Sequence, residues 1–236
     1  MKTLGIIGGM GPLASNDLLG KIIANTDAHS DGEHLHVILD SDTAIPDRTA
    51  AILHGGKDPR EELCASARRL QTAGAEALII ACNTAHYFYD TIAASVEIPV
   101  LHMPRLTAQA VHGEFRKVAL LATDGMVQSG IYQKAFERGP QLILPEREQQ
   151  ESVMALIYDG VKRGNAHFPT EKICRTLQEL TEKGAEAFVL GCTELPIAFS
   201  MYHLPGKTVD PTLILAREAI RFCGGPLKPI DETSLK

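Results

Sequence analysis

Two cysteines close near-copies of one segment in this 236-residue chain. The first copy reads Gly74-Ala75-Glu76-Ala77-Leu78-Ile79-Ile80-Ala81-Cys82-Asn83-Thr84. The second reads Gly184-Ala185-Glu186-Ala187-Phe188-Val189-Leu190-Gly191-Cys192-Thr193-Glu194. Glycine and cysteine recur at the same offset of 110 residues. Each copy is a short apolar run ending in a thiol and polar side chains. That pattern reads as a buried parallel strand carrying its cysteine to the carboxyl end, where open α/β sheets place their ligands. One such cysteine alone would read as core packing. Two at equivalent repeat positions point to thiols facing each other across a cleft. A thiolate and a thiol so opposed can take a proton from one face of a carbon and return one to the other. A free thiol titrates near ~8.5. A helix N-terminus following each strand is expected to lower that value and to offer N–H donors to a carboxylate.

The residues around the cysteines extend this chemistry. Asn83, Thr84 and Thr193 suit helix capping, and capping would aim backbone donors into the same cleft. Arg48, in the polar loop Ile45-Pro46-Asp47-Arg48-Thr49, and Lys162, in Gly160-Val161-Lys162-Arg163-Gly164, each read singly as a solvated or helix-end charge. Taken together they could clamp a carboxylate, with Arg48 suited to a bidentate grip. Gly8-Gly9-Met10-Gly11-Pro12 has a competing reading as a dinucleotide turn, because Gly9-x-Gly11-x-x-Ala14 follows a strand. Against it, the acidic candidate Asp40 lies 31 residues beyond Gly9, where the fingerprint expects ~20. That reading also leaves both cysteine segments unexplained. His86, four residues after Cys82, lacks further ligands at zinc spacing, so no metal is expected. Cys64 and Cys174 read as core, and Cys223 as incidental.

Composition sets the bounds. With 44% hydrophobic residues the chain can bury a sizeable core. A net charge of −6 gives no basic footprint for nucleic acid, and no apolar run reaches a membrane span. Five irregularly spaced cysteines fit reduced thiols in a cytoplasmic protein.

Alternating strand and helix signals position these residues. Strands are expected at 3–7, 35–39 and 99–101 and in the run ending at Cys82, with helices over 13–28, 59–73 and 85–95. The cycle then restarts: Lys117-Val118-Ala119-Leu120-Leu121 mirrors the opening strand. Helices at 129–138, 148–163 and 170–183, a strand at 141–144 and the strand ending at Cys192 follow. Lys207-Thr208-Val209-Asp210 matches Ile98-Pro99-Val100-Leu101, and a last helix covers 212–223. The expected fold class is α/β, with two pseudo-symmetric domains of mainly parallel sheet flanked by helices and the site between them. Residues 1–105 with 208–236 form the first expected domain, and 106–207 the second.

Taken together, Gly8-Gly9-Met10-Gly11-Pro12, Ile45-Pro46-Asp47-Arg48-Thr49, Ala81-Cys82-Asn83-Thr84-Ala85-His86 and Gly191-Cys192-Thr193-Glu194 resemble the aspartate/glutamate racemase superfamily, and within it the aspartate racemases. The resemblance covers nearly the whole chain. It implies racemisation by two cysteines with no cofactor, in a homodimer acting on a small amino acid. It brings Met10, Thr123 and Glu194 into the expected substrate-binding set with Arg48, Asn83, Thr84, Lys162 and Thr193. Glutamate racemases proper differ where this chain has Gly8-Gly9-Met10 and Glu194-Leu195. Met126 stands where the family commonly has a hydroxyl residue, which would alter a polar contact on the cleft.

The mechanism expected is a two-base proton transfer at Cα, with charge stabilised by fixed donors in a dry cleft. Aspartate is the expected substrate, and glutamate or another amino acid the nearest alternative. An NAD(P)-binding oxidoreductase and a non-catalytic diacid-binding protein are the readings from other classes.

Overall fold

A computed structural model of the chain describes residues 1–229. The first half builds a parallel sheet from β1 (Leu4–Gly8), β2 (Val37–Ser41) and β3 (Ala77–Ile80), ordered β2-β1-β3. Val100 extends the β3 edge by a single parallel bridge to Leu78, which is all that forms of the strand expected at 99–101. The second half builds β4 (Lys117–Leu121), β5 (Gln141–Ile143), β6 (Ala187–Leu190) and β7 (Thr208–Val209), ordered β5-β4-β6-β7. With Val100 in the place of β7, the two sheets share one order. β1, β3 and β6 are buried along their whole length. Strands covered on both faces have no reason to alternate polar and apolar residues, hence their unbroken apolar runs. Ile7 pairs with Ile80 and Leu121 with Leu190. Both chains therefore leave their sheets at the same level, two residues before a cysteine.

Helices cover both faces of each sheet. Leu18 and Ile22 of Pro12–Asn25, with Leu215 and Ile220 of Pro211–Phe222, pack on Leu4, Ile6 and Ile79. Leu63 and Leu70 of Arg60–Thr72 pack on Ile7, Leu78 and Ile80. In the second half, Glu171–Glu182 buries Ile173, Thr176, Leu177 and Leu180, one stripe of a helix. Each such buried Leu or Ile contributes roughly 1.5–3 kcal/mol.

Four local departures from expectation shape the site. Arg48 is not in a loop: it opens the helix Arg48–Leu53, whose N-cap Asp47 accepts the Ala50 N–H at 2.7 Å. The helix expected over 129–138 is two short ones, Asp124–Ser129 and Ile131–Ala135, broken at Gly130 with φ 70. The helix Arg147–Ala155 widens into a π-helical segment, Leu156–Lys162, a feature frequent at functional sites. The helix Met103–Ala110 had no expectation behind it, and Leu195–Met201 supplies the helix start expected after Cys192, for which no bounds were drawn. At the chain's return, Thr208–Val209 pairs with β6 and so lies in the second sheet, although residues from 208 were expected with the first. The following helix packs on the first. We propose a division near residue 105 with the return at Asp210.

Candidate active site

The carboxyl ends of the two sheets face one cavity, and all ten expected site residues line it. Met10, Arg48, Cys82, Asn83 and Thr84 come from the first half. Thr123, Lys162, Cys192, Thr193 and Glu194 come from the second. Asp47, Thr49 and Tyr158 join them. Tyr158 had no sequence signal beyond its place one helical turn before Lys162. Its ring centroid lies 5.4 Å from the Lys162 ammonium, so both face the same way off the π-helical segment. The cavity measures about 10 Å³, room for about one water. An amino acid needs more room than this.

Polar contacts tie the halves across this cavity. The Thr84 and Thr123 hydroxyls lie 3.0 Å apart. Tyr132, fully buried, donates to Asn83 Oδ1 at 2.7 Å. Asn83 therefore works as a strap and makes no side-chain cap, contrary to expectation. The backbone also approaches closely: a Cβ on Gly125 would lie 2.9 Å from Thr49 Oγ1. Thr123 Oγ1 accepts the Met126 N–H at 3.3 Å and so caps the helix Asp124–Ser129. Met126 itself is fully buried with Ala122, Tyr132 and Phe136. It is core and not a replaced polar contact on the cleft, because the helix turns its side chain toward the sheet.

The charges are placed unequally. Arg48 is 8% exposed. Its guanidinium donates to the carbonyls of Ile45, Pro46 and Met10 at 3.2, 2.9 and 3.1 Å, leaving Nε unpartnered. Burial acts to lower its pKa, but Cys82 and Asp47 raise it on balance, so the cation is firmly held. Lys162 Nζ lies 3.0 Å from Glu194 Oε1. Burial opposes its charge, and Glu194 with Cys192 more than restores it. Glu194 Oε2 accepts from Cys192 Sγ–H at 2.9 Å and from the Thr193 hydroxyl at 3.2 Å. Burial first, then the Glu194 charge and hydrogen bond, push the Cys192 thiol well above its ordinary range. The expected lowering by a helix N-terminus is absent there, because a carboxylate outweighs the partial charge of a seven-residue helix.

The glycine turn serves this site. Gly9 has φ +87, and a Cβ there would lie 2.4 Å from the Asp42 backbone. Ser15 Oγ closes the turn, accepting from Gly9 N–H and donating to Gly11 O, both at 2.9 Å. The Gly11 N–H at the start of the helix Pro12–Asn25 donates to Glu194 Oε1 at 3.3 Å. The carboxylate that meets this helix N-terminus is thus the protein's own. His86 braces the first cysteine loop. Its Nδ1 contacts the carbonyls of Cys82 and Asn83 at 2.9 and 3.2 Å, and its Nε2 accepts the Met103 N–H at 3.1 Å. Burial, with His102 second, lowers its pKa to about 3, so the ring is neutral. Among the described residues no three His, Cys, Asp or Glu side chains gather as a metal site would require. Cys64 and Cys223 are buried, and Cys174 packs partly buried against the second core. Cys223, read as incidental, is a core residue beneath β1.

A family model described as "Asp/Glu/Hydantoin racemase" matches residues 7–219. The broad-specificity amino-acid racemase RacX of Bacillus subtilis (strain 168) is 25% identical over 92% of this chain and 96% of its own. Among solved structures, the aspartate racemase of Picrophilus torridus superposes with a TM-score of 0.86 at 31% identity, covering 97% of this chain and 96% of that one. An aspartate racemase homologue from Pyrococcus horikoshii OT3 superposes with a TM-score of 0.75 at 26% identity, covering 95% and 100%.

Proposed function

The chain belongs to the Asp/Glu/hydantoin racemase family, and from that premise we propose that it interconverts L- and D-aspartate through Cys82 and Cys192 without a cofactor. One observation carries the reading. Two cysteines, each 5% exposed, leave matching strands and line one small cavity with Arg48 and Lys162. One sulfur, as thiolate, takes the Cα proton; the other, as thiol, gives one to the opposite face; the reverse reaction exchanges the roles. The carbanion beside the α-carboxylate is held by Asn83, Thr84, Thr193 and nearby N–H groups, as fixed donors in a water-poor site. Arg48 and Lys162 hold the side-chain carboxylate. Five free cysteines suit a cytoplasmic enzyme, and a homodimer is the expected assembly, to be read by size-exclusion chromatography with light scattering.

A broader range of side chains is the second reading. The Lys162–Glu194 pair favours it, since one of the two clamp cations is already balanced. The deciding experiment incubates each enantiomer of aspartate, glutamate and alanine in D2O, with NMR for the Cα deuteron and chiral chromatography for the product. Aspartate should exchange and racemise fastest. Exchange of no substrate would remove the proposal, and faster turnover of alanine would replace aspartate with the broader reading.

A further inference from the structure

We propose that Glu194 makes the resting site asymmetric, keeping the proton on Cys192 and leaving Cys82 as the sulfur that takes the substrate's proton first. Its catalytic meaning rests on the racemase reading; its chemistry does not. Glu194 follows Cys192 by two residues, and Thr84 stands at the same distance from Cys82. The Glu194 side chain is 4% exposed, and both its oxygens are engaged within the site. Oε2 takes the Cys192 thiol at 2.9 Å and the Thr193 hydroxyl at 3.2 Å. Oε1 takes Lys162 at 3.0 Å and the Gly11 N–H at 3.3 Å. A buried carboxyl group ringed by this many donors uses its neighbour's proton as one of them. Deprotonating Cys192 would break that hydrogen bond and set the new charge against the Glu194 side chain.

Cys82 meets the opposite field. The groups acting on it are the Arg48 and Lys162 cations, with Asp47 behind Arg48. The other charged or titratable groups facing Cys192 are Lys162, shared by both sulfurs, the half-buried phenol of Tyr158 and the buried one of Tyr132. Glu194 thus contacts one sulfur, that of Cys192, while Arg48 acts on the other. In turnover from this form, the Cα–H bond breaks toward Cys82, whose sulfur gains the proton. The Cys192 S–H bond breaks to form the new C–H bond, leaving a thiolate beside Glu194. Water then returns a proton to Cys192 and accepts the one on Cys82, restoring the resting form. The enantiomer that presents its hydrogen to Cys82 is the one the resting enzyme is ready to take.

Alkylation of the ligand-free protein tests this without turnover. Both cysteine residues are 5% exposed, and the pH dependence of each rate separates ionisation from access. With iodoacetamide at neutral pH and peptide mass spectrometry, Cys82 should react at least about tenfold faster than Cys192. In Glu194→Gln the Cys192 rate should rise at least about tenfold, with its pH midpoint lower and the Cys82 rate little changed. Glu194→Asp should fall between. Equal rates in the wild type, or a Cys192 rate indifferent to Glu194→Gln, would overturn the assignment. Wild-type asymmetry removed by Glu194→Gln in a protein that racemises nothing would keep it while ending the racemase reading.

Discussion

The two cysteine loops begin alike and end differently. Both follow fully buried strands at one register, and both cysteine residues are equally buried. Beyond the sulfur the first loop runs Asn83-Thr84-Ala85-His86 and the second Thr193-Glu194-Leu195-Pro196. The first continues into a 3-10 turn, with its side chains reaching across the cavity to Tyr132 and Thr123 and its backbone braced by His86. The second turns its acidic side chain back on its own cysteine and enters an α-helix with Pro at the first turn. Duplication placed the two sulfurs. Divergence one and two residues later assigned one loop to holding the halves together and the other to holding charge.

Removing either sulfur breaks the comparison most severely. Cys82→Ala and Cys192→Ala should each lower racemisation by at least about a thousandfold, the scale of a lost general acid or base. Far-UV circular dichroism should be unchanged. Retention of more than a few per cent of activity by either variant is incompatible with two bases on two faces.

Arg48 comes next, as the cation on the first-loop side. Arg48→Ala should cost about 2–4 kcal/mol on aspartate kcat/KM, roughly 30- to 1,000-fold, through loss of a charged contact to a desolvated carboxylate. Alanine turnover should change little. A uniform loss on both substrates would mean that Arg48 supports the loop through its three carbonyl contacts and does not choose the side chain.

The strap on the first loop is weaker. Tyr132→Phe leaves Asn83 Oδ1 without its donor, in a buried amide whose nitrogen already lacks a partner. The expected cost is about 1–3 kcal/mol, read as a lower urea midpoint. An unchanged midpoint would mean that the two halves do not depend on this contact.

The brace under the same loop adds a pH dependence the second loop lacks. His86 titrates at about 3 in the folded chain, below its ordinary ~6.5. Between these values the unfolded chain binds a proton the folded chain refuses. Stability should therefore fall as pH drops from about 6.5 toward about 3, by up to about 1.4 kcal/mol per unit. Above that window His86 contributes no slope. His86→Gln should show a shallower decline in urea midpoint over the same range, and a matching decline would remove the neutral brace. The smallest expected effect is none: dialysis against EDTA should leave activity intact, and recovery only with added metal or pyridoxal phosphate would contradict the two-thiol mechanism.

Much of this molecule was legible in one dimension because its strands are buried on both faces. Such strands read as short apolar runs, and the repeated run ending at Cys82 and Cys192 disclosed the sheets and their duplication, while Met10, Thr123 and Glu194 entered the expected set only through the family resemblance. The short helices were less legible. Arg48–Leu53 and Leu195–Met201 have too few residues to form alone; the first packs on Asp124–Ser129 of the other half and the second on the core of its own half, and the former moved Arg48 from a presumed loop to a buried helix start. Met126 looked like a lost cleft contact because sequence position cannot say which way a side chain turns, and the second core took it. Tyr132 and Tyr158 carried no signal, since their roles arise from contacts across 49 residues in one case and from a π-helical turn in the other. Sequence alone determined where each sulfur leaves its sheet, because strand burial and period are local properties. Only the tertiary structure decided which sulfur carries the proton. A thiol answers to the charges within a few ångströms of it, and folding chose those: Arg48 beside Cys82, and Glu194, held by Lys162 and Gly11, beside Cys192.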